Sequence, residues 1–143
     1  MIMAAQPVLQ SHRVSIYVPS RCVCGRVLPS ALRDQVVKEV KESFCEWYGG
    51  YTEIPTTGGW RSPDGTVVEE PGSVIYSFCA GNTRRKAADK VSRLAVNMAN
   101  RLTQGAVLVV TDSQYAAFWP NTLCGLKVGK NCACRGGILE MAG

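Results

Sequence analysis

The feature that most constrains the fold is the order of the hydrophobic patterns, in which strand-like runs flank two segments of helical periodicity. Apolar residues recur every third or fourth position near 30–48 and 83–103, as in amphipathic helices that bury one face. Short β-branched and aromatic runs between Gly- and Pro-rich breaks predict the strands. The order β-α-β-β-α-β predicts an α+β class, ferredoxin-like fold: an antiparallel sheet with two helices on one face.

Local sequence features set the predicted boundaries. The first strand covers 12–18 and stops at Pro19, because proline cannot donate to a sheet ladder. The first helix has Ser30 as its N-cap and ends at Gly49, which tolerates a left-handed backbone. A turn at 62–65 joins two strands into a hairpin. The remaining strands are predicted at 51–54, 66–69, 74–79 and 106–110, followed by an extended run to 119.

The length of 143 residues suits a single domain, which we place at 1–119, followed by an irregular, Gly- and Cys-rich C-terminal tail at 120–143. With 46% hydrophobic and 19% charged residues, the composition excludes a disordered chain. No apolar run approaches membrane-spanning length. The first residues lack the charged leader and unbroken apolar run of a secretory signal. We therefore expect a cytoplasmic protein in a bacterial or infected host cell.

Seven cysteines cannot all pair within one chain, and a reducing compartment favours thiols. Two Cys-x-Cys pairs could together form a tetrahedral zinc site if the tail folds back onto the first loop. A redox dithiol and inert thiols are the alternatives, and we predict no cofactor. The four candidate zinc ligands are Cys22, Cys24, Cys132 and Cys134.

Positive charge is concentrated in the second half, where residues 72–143 carry nine basic and three acidic side chains. Three adjacent cations open the second helix, although the positive end of the helix dipole disfavours them. A bound phosphate would reverse that effect; solvated side chains, or pairing with Glu69 or Glu70, are the alternatives. The candidate anion ligands are Asn82, Arg84, Arg85 and Lys86.

Three aromatic residues lie around a Gly-rich segment and are candidates for stacking on a base: Tyr48, Tyr51 and Trp60. The alternative is that these rings close one end of the core.

Candidate catalytic groups are few. His12 is the single histidine, and no nucleophile–base pair is evident. Asp64 fits a turn position, and the other carboxylates near it fit solvated strand positions. Those carboxylates are Glu53, Glu69 and Glu70. The sequence therefore predicts that the protein is not an enzyme.

Several short motifs are shared with other proteins. They are Phe44-x-x-Trp47-Tyr48-Gly49-Gly50-x-Thr52, Gly59-Trp60-Arg61, Asp64-Gly65, Glu69-Glu70-Pro71 and Leu102-x-Gln104-x-Ala106-Val107-Leu108-Val109. Over roughly residues 14–119 the chain resembles a broad group of small bacterial, archaeal and phage proteins that have no common chemistry. The resemblance implies a ferredoxin-like fold, and by analogy a phage protein that sequesters a host defence signal.

These observations combine into one functional prediction: a non-enzymatic protein that captures an anionic, nucleotide-like small molecule. The alternatives are a module that binds a host protein and a small enzyme acting on a phosphorylated substrate. A nucleic-acid partner also fits the positive charge, and a membrane partner is not expected. The sheet face without helices would expose apolar surface, so the sequence predicts a homo-dimer or higher oligomer.

Overall fold

A computed structural model of the chain describes residues 12–22, 25–61, 64–80, 84–102, 104, 106–111 and 115–120. The tail at 121–143 lies outside the described residues, as do Cys24, Asn82, Cys132 and Cys134. The elements are β1 (His12–Val18), α1 (Ser30–Tyr48), β2 (Thr52–Arg61), β3 (Val67–Cys79), α2 (Arg84–Arg101), β4 (Ala106–Thr111) and β5 (Tyr115–Pro120).

The strands form one antiparallel sheet in the order β2-β3-β1-β4-β5. Because β3 lies between β1 and β2, which α1 connects, the first four strands and the two helices form a split βαβ arrangement. This arrangement confirms the predicted ferredoxin-like fold. The run predicted only as extended is a fifth strand, which pairs with β4 from Thr111↔Tyr115 to Ala106↔Pro120.

The core lies between one face of the sheet and the two helices. Side chains alternate between faces along a strand, and in β1 Val14, Ile16 and Val18 are the buried core residues. Helix residues of the same cluster include Phe44 and Val91, both 0% exposed. Both helices therefore pack on one face, as predicted. The opposite side of the sheet, which we call the open face, carries Tyr17, Ile54 and Phe78, each about two-fifths exposed.

Helix α1 differs from its prediction at the start and agrees at the end. Pro29, rather than Ser30, occupies the cap position, and no side chain caps the helix. Arg33 instead ties the first turn to the sheet, because its guanidinium donates to the Pro19 carbonyl (3.1 Å) and to Ser73 Oγ (3.0 Å). Gly49 ends the helix at φ 88° and donates its N–H to Cys45 O. No helix in the described part of the chain is long and apolar enough to cross a membrane.

The β2–β3 hairpin is longer than predicted. The sequence placed separate strands at 66–69 and 74–79, whereas β3 is a single strand of 13 residues. Pro71 is accommodated because it lies beyond the last β1 partner of β3, Ser73, and faces only β2 there. At Gly72 the strands approach closely, since a Cβ would lie 2.8 Å from the Val18 carbonyl oxygen.

Candidate functional site

A cleft of about 180 Å³ lies where β1 ends, between the start of β4 and the middle of the β2–β3 hairpin. We call it the Glu70 cleft, after its one carboxylate. It brings together residues from four strands that are distant in sequence. Its lining residues are Tyr17, Val18, Pro19, Thr56, Gly58, Glu70, Pro71, Gly72, Ser73, Gln104, Val107 and Leu108.

The backbone of one residue, Arg21, holds the two most polar side chains of the Glu70 cleft. The Arg21 N–H donates to Glu70 Oε2 at 3.0 Å, across 49 positions of sequence. The Arg21 carbonyl accepts from Gln104 Nε2 at 2.6 Å, across 83 positions. Glu70 and Gln104 are therefore fixed relative to each other by the backbone of the loop that follows β1.

That loop is itself held by backbone hydrogen bonds. Leu28 N donates to Ser20 O at 2.9 Å, and Cys22 N donates to Arg26 O at 2.8 Å. Two buried side-chain atoms in the described part of the chain have no hydrogen-bond partner, and both belong to this loop: Ser20 Oγ and Arg21 Nε. The loop is thus anchored through its main chain, which is what positions Arg21 beside the cleft.

The charge of the Glu70 cleft determines what it can bind. Among its described lining residues Glu70 is the one carboxylate, and none is Lys, Arg or His. Tyr17 and Leu108 add apolar surface beside the carboxylate. Such a cleft disfavours phosphate and favours a ligand that combines a positive charge with an apolar body.

A second cleft, of about 270 Å³, lies between the end of α1 and the start of β2. We call it the tyrosine cleft. It joins Tyr48 and Tyr51, two of the predicted stacking residues, with Tyr76 and Phe78. Burial raises the pKa of the Tyr48 hydroxyl above its usual range. Trp60 lies at the far end of β2 and lines neither cleft. Base stacking by Tyr48 and Tyr51 remains a prediction.

Of the four predicted anion ligands only Lys86 has a described side chain, and it lines neither cleft. Helix α2 begins at Arg84, within one residue of its predicted start. Lys86 is exposed, and the side chains of Arg84 and Arg85 lie outside the described residues. Phosphate binding by these residues stays a prediction.

The zinc site is also untested. Cys22 is buried, and its three predicted partners lie outside the described residues. Among the residues that the structure describes, no three His, Cys, Asp or Glu side chains lie close enough to share a metal ion.

Three of the predicted carboxylates, Asp64, Glu53 and Glu70, lie in different environments. Asp64 stabilises the hairpin turn, as predicted, by accepting from Thr66 N (2.9 Å) and Thr66 Oγ1 (2.6 Å). Glu53 pairs with Lys41 of α1 at 2.7 Å. The expectation that Glu70 is a solvated strand residue was wrong, because Glu70 is half-buried and its Oε2 accepts a hydrogen bond from Arg21 N. Tyr17 was not predicted as a site residue, and Gln104 was quoted only as part of the motif Leu102-x-Gln104-x-Ala106-Val107-Leu108-Val109, without a role.

Comparison with known proteins identifies the fold but no sequence family. No family profile and no curated protein matches the chain. Two solved structures of a phage S-adenosylmethionine (SAM) lyase are similar, one in complex with S-methyl-5′-thioadenosine and one in the apo state. Each has a TM-score of 0.59 and 12% sequence identity over 84% of this chain, covering 97% and 98% of the lyase chain respectively. The likeness is one of fold.

This finding corrects the functional prediction. The sequence predicted a non-enzymatic binding protein that captures a nucleotide-like anion, yet the two similar solved structures are those of an enzyme. The prediction depended on the missing nucleophile–base pair, which is a criterion for acyl or phosphoryl transfer. This criterion does not cover a reaction in which the substrate supplies its own nucleophile and the leaving group needs no proton.

Proposed function

We propose that the protein is an enzyme that cleaves a sulfonium nucleoside of the SAM class in the Glu70 cleft. The observation that carries the proposal is the fixed Glu70 carboxylate in a partly apolar cleft without a basic side chain. The likeness to phage SAM lyase supports it, since S-methyl-5′-thioadenosine is SAM without its four-carbon amino acid chain.

The chemistry of a sulfonium explains why so few catalytic groups are needed. When the bond between sulfur and the amino acid chain breaks, its electron pair goes to sulfur, and a neutral thioether leaves without a proton. The substrate's own carboxylate can form the new bond to the carbon that sulfur leaves, closing a lactone ring. The protein then has to hold the substrate so that its carboxylate lies next to the carbon that sulfur leaves. Such positioning alone can lower the barrier to reaction substantially.

The acidic character of the cleft also favours this function over the alternative of an enzyme that acts on a phosphorylated substrate. A sulfonium and an ammonium group are attracted to Glu70, whereas a phosphate would be repelled by it. The cleft volume of about 180 Å³ is below that of an enclosed ligand site. We therefore also propose that a second copy of the chain covers the open face and completes the enclosure. The cytoplasmic location and the anti-defence role stay predictions.

Replacing Glu70 tests the role of its charge. Glu70→Gln keeps the shape and an oxygen that can accept from Arg21, so the fold is retained. We expect formation of S-methyl-5′-thioadenosine from SAM, measured by liquid chromatography, to fall about 10- to 100-fold, because a hydrogen bond or contact with a charged group is lost. Glu69→Gln is the matched control: Glu69 is exposed, lines neither cleft and should leave the rate unchanged. Equal rates for the two variants would contradict the proposal.

Filling each cleft in turn tests where the reaction occurs. Gly58 lines the Glu70 cleft and Gly50 the tyrosine cleft, and a Cβ at either position meets no atom within 4 Å. A side chain at either position can therefore begin without a clash, and the remaining leucine atoms reduce the space in the cleft. We expect Gly58→Leu to abolish cleavage of SAM and Gly50→Leu to preserve it. The reverse result would move the reaction to the tyrosine cleft, and no cleavage by the unaltered protein would refute the enzyme.

A further inference from the structure

Gln104 is a buried amide at the edge of the Glu70 cleft. Its side chain lines the cleft although the residue is only 7% exposed. Its backbone N–H donates to Ala99 O at 2.9 Å, which fixes the residue between α2 and β4. A buried amide must satisfy its polar atoms, so its hydrogen bonds define which way it points.

Both hydrogens of the Gln104 amide group are used by the protein. Nε2 donates to Arg21 O at 2.6 Å and to Leu102 O at 2.9 Å. The flipped amide would place Oε1 against two carbonyl oxygens, so this orientation is the favourable one. The atom that remains for a ligand is therefore Oε1, which is an acceptor only.

Arg21 accepts from Gln104 through its backbone carbonyl and donates to Glu70 through its backbone N–H. The cleft consequently presents a carboxylate and an amide oxygen in a fixed relation, with no cationic side chain among its described lining residues. Two acceptor oxygens attract a positive charge or an N–H donor and offer nothing to a neutral thioether.

We propose that Gln104 is a specificity-determining residue that, together with Glu70, selects the charged sulfonium substrate over its neutral thioether counterparts. This inference rests on the proposed function and names the chemistry that the same site recognises. Loss of the positive charge during cleavage then weakens the hold on the thioether product, which favours its release. Arg21 acts through its backbone N–H and carbonyl as a positioning residue for both side chains.

The test compares binding of SAM with binding of S-adenosylhomocysteine, the neutral thioether that lacks the methyl group, by rapid filtration before the first turnover, so that cleavage does not consume SAM. We expect the unaltered protein to prefer SAM by about tenfold or more, and Gln104→Met to lose most of that preference, since an interaction with a charged group is removed. The matched control is Gln35→Met on the exposed surface of α1, which should keep the preference.

The outcomes separate a specificity role from a structural one. Gln104→Met leaves two carbonyl groups without a donor, so we expect a lower melting temperature whether Gln104 sets specificity or only supports the fold. If its role is only structural, the variant binds SAM and S-adenosylhomocysteine more weakly by the same factor, and that result overturns the inference. The inference is also overturned if the unaltered protein binds SAM and S-adenosylhomocysteine with equal affinity, or binds neither of them. Preferential binding of SAM without cleavage supports the inference while refuting the proposed reaction.

Discussion

Glu69 and Glu70 are adjacent in β3, yet they have different surroundings because successive side chains of a strand point to opposite faces. Glu70 lies opposite Gly58, and both residues line the cleft; Glu69 lies opposite Gly59 and is exposed. A shift of one residue in the strand register would exchange the two carboxylates. The chemical role of either glutamate is therefore a property of the register and not of the residue type.

At the same scale, Ser20 provides a test of the loop that holds Arg21. Its Oγ is buried and has no hydrogen-bond partner, so the folded state loses hydration of this hydroxyl without compensation. We expect Ser20→Ala to raise the free energy of unfolding by about 1 kcal/mol, measured by urea denaturation.

The control for Ser20 is Ser30→Ala, because Ser30 is exposed and caps no helix. It should change the free energy of unfolding by less than about 0.5 kcal/mol. A clear loss of stability in Ser20→Ala would mean that the hydroxyl has a bound partner, such as an ordered water molecule.

At the scale of elements, an ion pair joins α1 to the edge strand β2. Lys41 Nζ lies 2.7 Å from Glu53 Oε1, with both side chains less than one-third exposed. The hydrogen bond from Lys41 is the main reason that the pKa of Glu53 is lowered, and the same bond raises the pKa of Lys41. The pair therefore stabilises the folded state at pH values between the pKa of Glu53 and the pKa of Lys41, where both groups are charged.

The pH dependence of this contribution has a defined sign. Because the folded-state pKa of Glu53 lies below its model-compound value of 4.5, the stabilisation is complete above that pH and is lost as the pH falls through the lowered pKa. It is lost again above 10.5, as Lys41 deprotonates. We expect Lys41→Met to cost about 0.3 to 1 kcal/mol at neutral pH and progressively less below pH 4.5, by urea denaturation. Lys38→Met, whose partner Glu42 lies 3.9 Å away in solvent, should cost less at every pH.

The elements also differ in how well the sequence predicts them. The apolar positions Leu32, Val36, Val40 and Phe44 recur in helical spacing and are all buried, so α1 follows from local pattern. The length of β3 does not follow from local pattern, because Pro71 and Gly72 interrupt the sequence pattern of a strand. Their conformation is set by pairing with β2, and strand pairing is a long-range contact that a local pattern does not contain.

At the scale of the whole molecule, the Glu70 cleft could not be predicted from spacing. Arg21, Glu70 and Gln104 meet only because β3 lies beside β1 and β4 lies on its other side. The sequence predicts this topology through the order of its elements, so the fold was accessible. The hydrogen bonds that fix the cleft depend on the path of the loop after β1, for which the sequence offers no periodic pattern.

The open face carries apolar side chains that remain exposed in the single chain. Ile54 is 41% exposed and Phe78 is 43% exposed, and both project from the face opposite the helices. Exposed apolar surface that continues across strands is characteristic of an interface. A closed dimer or trimer would bury this face and cover one side of the Glu70 cleft at the same time.

Sedimentation velocity tests this assembly directly. We expect the unaltered protein at micromolar concentration to sediment at a multiple of the 15.5 kDa chain mass. Ile54→Glu combined with Phe78→Glu should give a single-chain mass, because burying unpaired charges in an interface is unfavourable. Val96→Glu is the matched control, since Val96 is 44% exposed on α2, away from the open face. If the open face also encloses substrate, the double variant should lose cleavage of SAM together with assembly, whereas a single-chain mass for the unaltered protein would show that each cleft acts alone.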